Sequence, residues 1–190
     1  LGHGLLYYAA LMCDTSHAAL VYRHSHKLLK YYIQHPSLHS GARDSFAADL
    51  HWIESTLKPE FLSGENDFKK SSLGKSKSER EYKKWVLRNA LFLNPLNDIF
   101  YDSAIAHDVL QLPNMFVRNY RAPAFQGFFN QMKQEFITAR FFYFQYLKVL
   151  PEQKVHYSDL GRALVNTLDY TQHGLRYEYL KNSFRMTYSL

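Results

Sequence analysis

The sequence predicts an all-α protein. Three observations carry this. Apolar residues recur at helical spacing in several separate stretches. No stretch sustains the period-two alternation of a half-buried strand. Proline and small polar residues stand where helices would start and stop. With 46% hydrophobic residues among 190, there is ample material for a core, and the 15 tyrosines and 14 phenylalanines give an aromatic share of 16%.

Leu5, Leu6, Tyr7, Tyr8, Leu11 and Met12 predict a short helix ending near Cys13-Asp14. Asp14 or Ser16 can cap a second helix that runs to about Gln34 and carries Leu20, Val21, Leu28 and Ile33. His35-Pro36 ends it, because the residue before proline is disfavoured in the helical region. A third helix spans about residues 42–57, with Phe46, Leu50, Ile53 and Leu57 on one face, and Lys58-Pro59 closes it. Residues 63–78, SGENDFKKSSLGKSKS, offer little to bury and read as a mobile linker, with Lys69, Lys70, Lys75 and Lys77 solvated.

A helix over residues 79–93 buries Tyr82, Trp85, Val86 and Ala90 and pairs Glu79 with Lys83 at i,i+4. Residues 99–123 are irregular, with a helical turn near 103–109. Residues 124–150, AFQGFFNQMKQEFITARFFYFQYLKVL, form a long helix that is apolar nearly all round, which predicts burial on several sides. Pro151 stops it. Ser158, Asp159 and Gly161 mark a turn, and a final helix starts at about Gln172.

Composition narrows the function classes. The formal net charge is +6, which permits an anionic partner such as RNA without demanding one. Cys13 is alone, which excludes a disulfide framework and a cysteine zinc site. No apolar run reaches the ~18–20 residues of a membrane span, and nothing resembles a signal peptide, so a cytoplasmic protein without membrane contact is expected. The chain starts with Leu1 and stops at Leu190 inside a helical pattern, which suggests a piece of a longer protein.

Three constellations could carry chemistry. Arg80, Lys84 and Arg88 fall at i, i+4, i+8 and form a basic ridge. Asn94, Asn97 and Asp98 follow, either as loop-locking groups or, for Asn94 beside Arg88, as a phosphate contact. Glu135 and Arg140 lie five apart, about 140° round a helix, so they do not simply pair with each other. Each needs a partner on another helix or a ligand. Asp169 and Tyr170, then Glu178 and Arg185, are the available groups. The two readings are a salt-bridge network that sets bundle register and a polar pocket for a nucleotide or RNA phosphate. Finally, His17, His24, His26, His35, His39 and His51 crowd the first 51 residues, but no metal-ligand spacing appears. No phosphate-cradling glycine loop, dinucleotide fingerprint or hydrolase elbow occurs, so no metal and no cofactor is expected.

The run from Trp85 through LRNALFLNPLND, then QEFITARFFYFQYL, then LVNTLDYTQHGLRYEYLKNSFRMTYSL, resembles a prokaryotic HEPN family. Its members carry a helical HEPN domain after tetratricopeptide repeats. The small and aromatic residues Gly4, Tyr8 and Ala9, followed by His35-Pro36, resemble a degenerate repeat hairpin. The resemblance implies residues 1–60 as a repeat tail, 61–78 as linker, and 79–190 as a HEPN-like bundle cut short at its C-terminus. It also implies dimerisation and a metal-independent endoribonuclease of a toxin, antiviral or RNA-processing system. RNA and a second copy would be the partners, without a DNA preference, and the N-terminal helices would take a protein partner. The family's R-x(4–6)-H hallmark is not present in residues 1–190; Arg88-Asn89 followed by Asn94 has the spacing but lacks the histidine. Arg140, Glu135 and Arg185 remain as catalytic candidates, with Arg80, Lys84, Arg88, Asn94 and Asp169 as phosphate-binding ones. The alternative is a non-catalytic helical interaction or dimerisation module.

Overall fold

The computed structural model describes residues 1–66, 68, 71–113, 124–149, 155–160 and 174–190. Among these residues there are seven α-helices and no strand, so the protein is all-α. It divides into two compact units, Leu1–Met115 and Phe116–Leu190.

In the first unit, α1 (Gly2–Ala10) and α2 (Thr15–Tyr32) pack against each other. Asp14 caps α2, its carboxylate accepting from the amides of Ser16 and His17. The two helices approach closely at Gly2, where a Cβ would lie 3.0 Å from Leu29 Cγ. Gly4, by contrast, faces open space. Ser25 fastens the contact by donating its hydroxyl to the Gly2 carbonyl at 2.6 Å. α3 (Ser40–Thr56) then packs on α2. Leu29 and Ile53 are almost fully buried between these helices, and burying each such side chain stabilises by about 1.5–3 kcal/mol.

A short α4 (Pro59–Ser63) follows with proline at its first turn, where the missing amide costs nothing. The sequence reads residues 63–78 as a mobile linker; none of its described residues is buried, but Asn66, Phe68 and Ser71 make contacts with the rest of the unit. Leu62 is buried, and buried Arg23 donates to the Phe61 carbonyl at 3.2 Å and to Asn66. Phe68 packs on the α1–α2 core and Ser71 donates to the Ser103 carbonyl at 2.8 Å. A buried guanidinium in need of acceptors is what recruits this loop.

α5 (Lys77–Arg88) begins at Ser76, which caps the Glu79 amide, and Glu79 pairs with Lys83 at 2.9 Å. It is shorter than the periodicity predicts. Ala90 is exposed rather than buried, at a left-handed φ of 51°. The Leu91 amide bonds the Val86 carbonyl at 3.0 Å and the Ala90 amide bonds the Leu87 carbonyl at 3.3 Å, the two bonds of a Schellman stop. Two 3-10 turns, Pro95–Asp98 and Ser103–Ile105, carry Leu96 and Ile105 into the same cluster as Ala9, Ala18 and Val21. The α5 region therefore belongs to the first unit.

In the second unit α6 (Ala124–Val149) packs on α7 (Leu175–Tyr188). Phe142 stacks on Tyr179 with centroids 6.1 Å apart, while Glu135 reaches Ser189, so the two helices run antiparallel. Asp159, in the 3-10 turn Tyr157–Asp159, caps α7 from a distance by accepting from the Leu175 amide at 2.9 Å.

Candidate functional site

α6 was expected to be buried nearly all round. Among its residues only Ala139, Arg140 and Phe144 are buried, whereas Phe128 is 66% exposed and Phe125, Met132, Phe141 and Tyr143 are also exposed. α7 likewise shows Phe184 and Tyr188 to solvent, at 69% and 85%, with their rings stacked. Apolar side chains encircle α6, but α7 can cover one side of it.

Arg140 is 5% exposed, with its guanidinium carbon 5.8 Å from the centroid of the Phe136 ring one turn earlier. Cation–π packing of this kind is strengthened by desolvation. Glu135 is half-buried, accepts from Gln131 at 2.8 Å and takes the Ser189 hydroxyl at 3.1 Å. The latter bond joins α6 to the end of α7 and helps set their register. Arg185 is exposed on α7, and Glu178 pairs with Lys181 at 2.8 Å. Asp169 and Tyr170 lie outside the described residues. The structure thus separates the roles: Glu135 is interhelical, Arg140 sits in the core, and Arg185 faces solvent.

Arg80, Lys84 and Arg88 do form an exposed row along α5. Arg80 is partly committed, donating to the carbonyls of Gly74 at 3.3 Å and Lys75 at 2.9 Å. Asn94 is not available to a phosphate. It is 2% exposed, its carbonyl oxygen accepts from the Leu96 amide and its amide donates to the Ile105 carbonyl. Asn97 acts in the same way, accepting from the Phe92 amide and donating to the Leu87 carbonyl, both at 3.2 Å. Asp98 accepts the Tyr8 hydroxyl at 2.6 Å; burial and then that carboxylate push the Tyr8 pKa up. These three side chains lock the loop.

Sequence reasoning passed over a second polar group, on α2. His26 is 6% exposed and its Nε2 lies 3.0 Å from Glu54 Oε1 on α3. Burial lowers the pKa of Arg23. Burial, followed by the charge of Lys27, also lowers that of His24, whose ring meets Phe100 edge-on at 5.2 Å. The signal was present in the sequence: Arg23, His26, Lys27 and Lys30 fall at i, i+3, i+4 and i+7, one helical face. Among the described residues no group of three or more His, Cys, Asp or Glu could hold a metal ion, and no helix is long and apolar enough to cross a membrane.

Residues 116–190 match a protein-family model described as LA2681-like HEPN. The match coincides with the second compact unit. No curated protein and no solved structure matches the chain.

Proposed function

We propose, from the match of residues 116–190 to a HEPN family model, that the chain is an RNA-directed protein acting as a metal-independent endoribonuclease in a defence or stress system. The family match is the observation that carries this reading. The outward row of Arg80, Lys84 and Arg88 supports it, since a cationic helix face meets a phosphate backbone without reading sequence. Metal-free cleavage needs a group to move the ribose 2′-OH proton and a cation to stabilise the phosphorane. Arg185, exposed on α7, is the better placed of the two arginine candidates to meet a substrate from solvent; Arg140 is the better placed to hold α6 in position. Glu135 is the carboxylate candidate.

A second reading is favoured by the exposed Phe128, Met132, Phe184 and Tyr188. A helix pair that shows this much aromatic surface suits association with a second copy, and the domain then serves as a non-catalytic dimerisation module.

The test incubates the full-length protein with structured RNA, with and without a chelator, across a salt series. Cleavage that the chelator leaves unchanged, and that Arg185→Ala reduces, is the expected result. Absence of both cleavage and salt-sensitive binding would sink the RNA-directed reading. Binding without cleavage, together with self-association, would favour the second. Unchanged cleavage by a folded Arg140→Ala variant would make that arginine structural.

A further inference from the structure

The polar face of α2 borders a groove closed by the end of α3 and by α4. It encloses about 620 Å³ and is lined by His26, Lys27, Lys30, Tyr31, Gln34 and Glu54, with α4 as its floor. That volume is within the roughly 300–1,000 Å³ usual for small-molecule sites. Two other cavities of this unit are smaller, about 170 and 300 Å³, and mainly apolar in their lining.

Three features set the groove apart. First, α2 contains no acidic residue, so nothing on its own helix offsets its cations. Second, His26 lines the groove, and its Nδ1 is buried without a hydrogen-bond partner among the described residues. Native structures seldom leave such a group unpaired without a reason. Third, the lining combines complementary chemistries. Lys27 and Lys30 supply cations, and Lys27 is already positioned by donating to the Gly64 carbonyl at 2.9 Å. Tyr31 presents a ring that is 71% exposed. Glu54, held by His26, presents a carboxylate whose side chain is 51% exposed.

We propose that this groove is a nucleotide-binding site, taking the phosphate of a nucleoside monophosphate on Lys27 and Lys30 and its base against Tyr31. Glu54 accepts from an exocyclic amine of the base, as carboxylates do from cytosine, and Gln34 can both donate and accept at the base edge. Aromatic stacking suits any base, so discrimination rests on Glu54. The site is built from the first unit alone and does not depend on any activity of residues 116–190.

Isothermal titration of the full chain with AMP, CMP, UMP and inorganic phosphate tests this, with a 5′-phosphorylated oligoribonucleotide as a separate arm. AMP and CMP are expected to bind more tightly than UMP, and all three more tightly than phosphate. Lys30→Ala should weaken AMP about tenfold, the loss of one charge-assisted bond, without changing the thermal midpoint, because Lys30 is exposed. Glu54→Gln should remove the preference over UMP. Lys58→Ala, an exposed lysine outside the lining, should bind as the parent does. No binding by any mononucleotide overturns the proposal, as does equal affinity for phosphate alone, an unchanged affinity in Lys30→Ala, or binding of the oligonucleotide only.

Discussion

The basic row on α5 makes a quantitative prediction about RNA. Three exposed cations, Arg80, Lys84 and Arg88, stand at successive turns of one helix. For single strands the slope of log affinity against log salt is about −0.7 per phosphate neutralised, so three contacts give about −2. Raising salt from about 50 to about 200 mM then weakens binding by roughly 20-fold. Lys84→Ala/Arg88→Ala removes two contacts, leaving a slope of about −0.7 and an affinity lower by on the order of tenfold near 0.15 M salt. Arg80 is left in place because it holds the Gly74 and Lys75 carbonyls and its loss would disturb the loop. Fluorescence anisotropy of a labelled single-stranded RNA over a potassium chloride series reads both quantities, with far-ultraviolet circular dichroism as the fold control. A double variant that keeps the parent's affinity and slope would refute the assignment of this face to RNA.

Asn97→Ala should lower the unfolding free energy by about 2 kcal/mol in urea, because the buried Phe92 amide loses its acceptor while the Leu87 carbonyl keeps the Ala90 amide. Ala90→Gly should raise stability by about 0.5–1 kcal/mol, the reverse of its effect inside a helix, since Ala90 holds a left-handed φ of 51°. Stability should also fall on acidification in two windows. His24 has a folded pKa below its unfolded value, so the unfolded chain binds the proton more readily, and stability declines as pH drops below about 6.5. Asp14, held low chiefly by the His17 amide, contributes stability above its unfolded value of about 3.9 that is lost as pH falls through its folded value. Urea unfolding from pH 8 to 5 should therefore slope, and His24→Gln should flatten it. Phe128→Glu should abolish self-association in sedimentation velocity while leaving the chain helical, because Phe128 is exposed on α6; an unchanged oligomeric state would remove that face from the interface.

Local chemistry was legible in the residues. Asp14 is a cap because a short side chain with an acceptor precedes free helical amides, and it bonds as that rule requires; Ser76 does the same for α5, whose start lies two residues before the one the periodicity predicts. Glu79 and Lys83 pair because i and i+4 are neighbours on any helix. The loop lock at Asn94 and Asn97 was one of two open readings; what chose between them was the arrival of the Ile105 and Leu87 carbonyls from other segments.

Long-range matters were not legible. Arg23 could be placed on α2 from spacing, but its acceptors, the Phe61 carbonyl and Asn66, lie some forty residues on. That contact ties Asn66, in an apparently featureless stretch, to α2. Likewise the composition of α6 marked it as a helix with many apolar sides, but not how many of those sides its own unit covers.

The sequence by itself determined the all-α class, the presence of the main helices, and a HEPN resemblance read over residues 79–190, because propensity, capping and motif spacing act over one or two turns. Only the tertiary structure decided that Arg140 is buried beside Phe136, that Glu135 reaches across to Ser189, and that His26 meets Glu54 at the edge of a groove. Those placements follow from which helices meet. That is settled by the burial of whole faces, such as Leu29 against Ile53, rather than by any side chain's near neighbours in the chain.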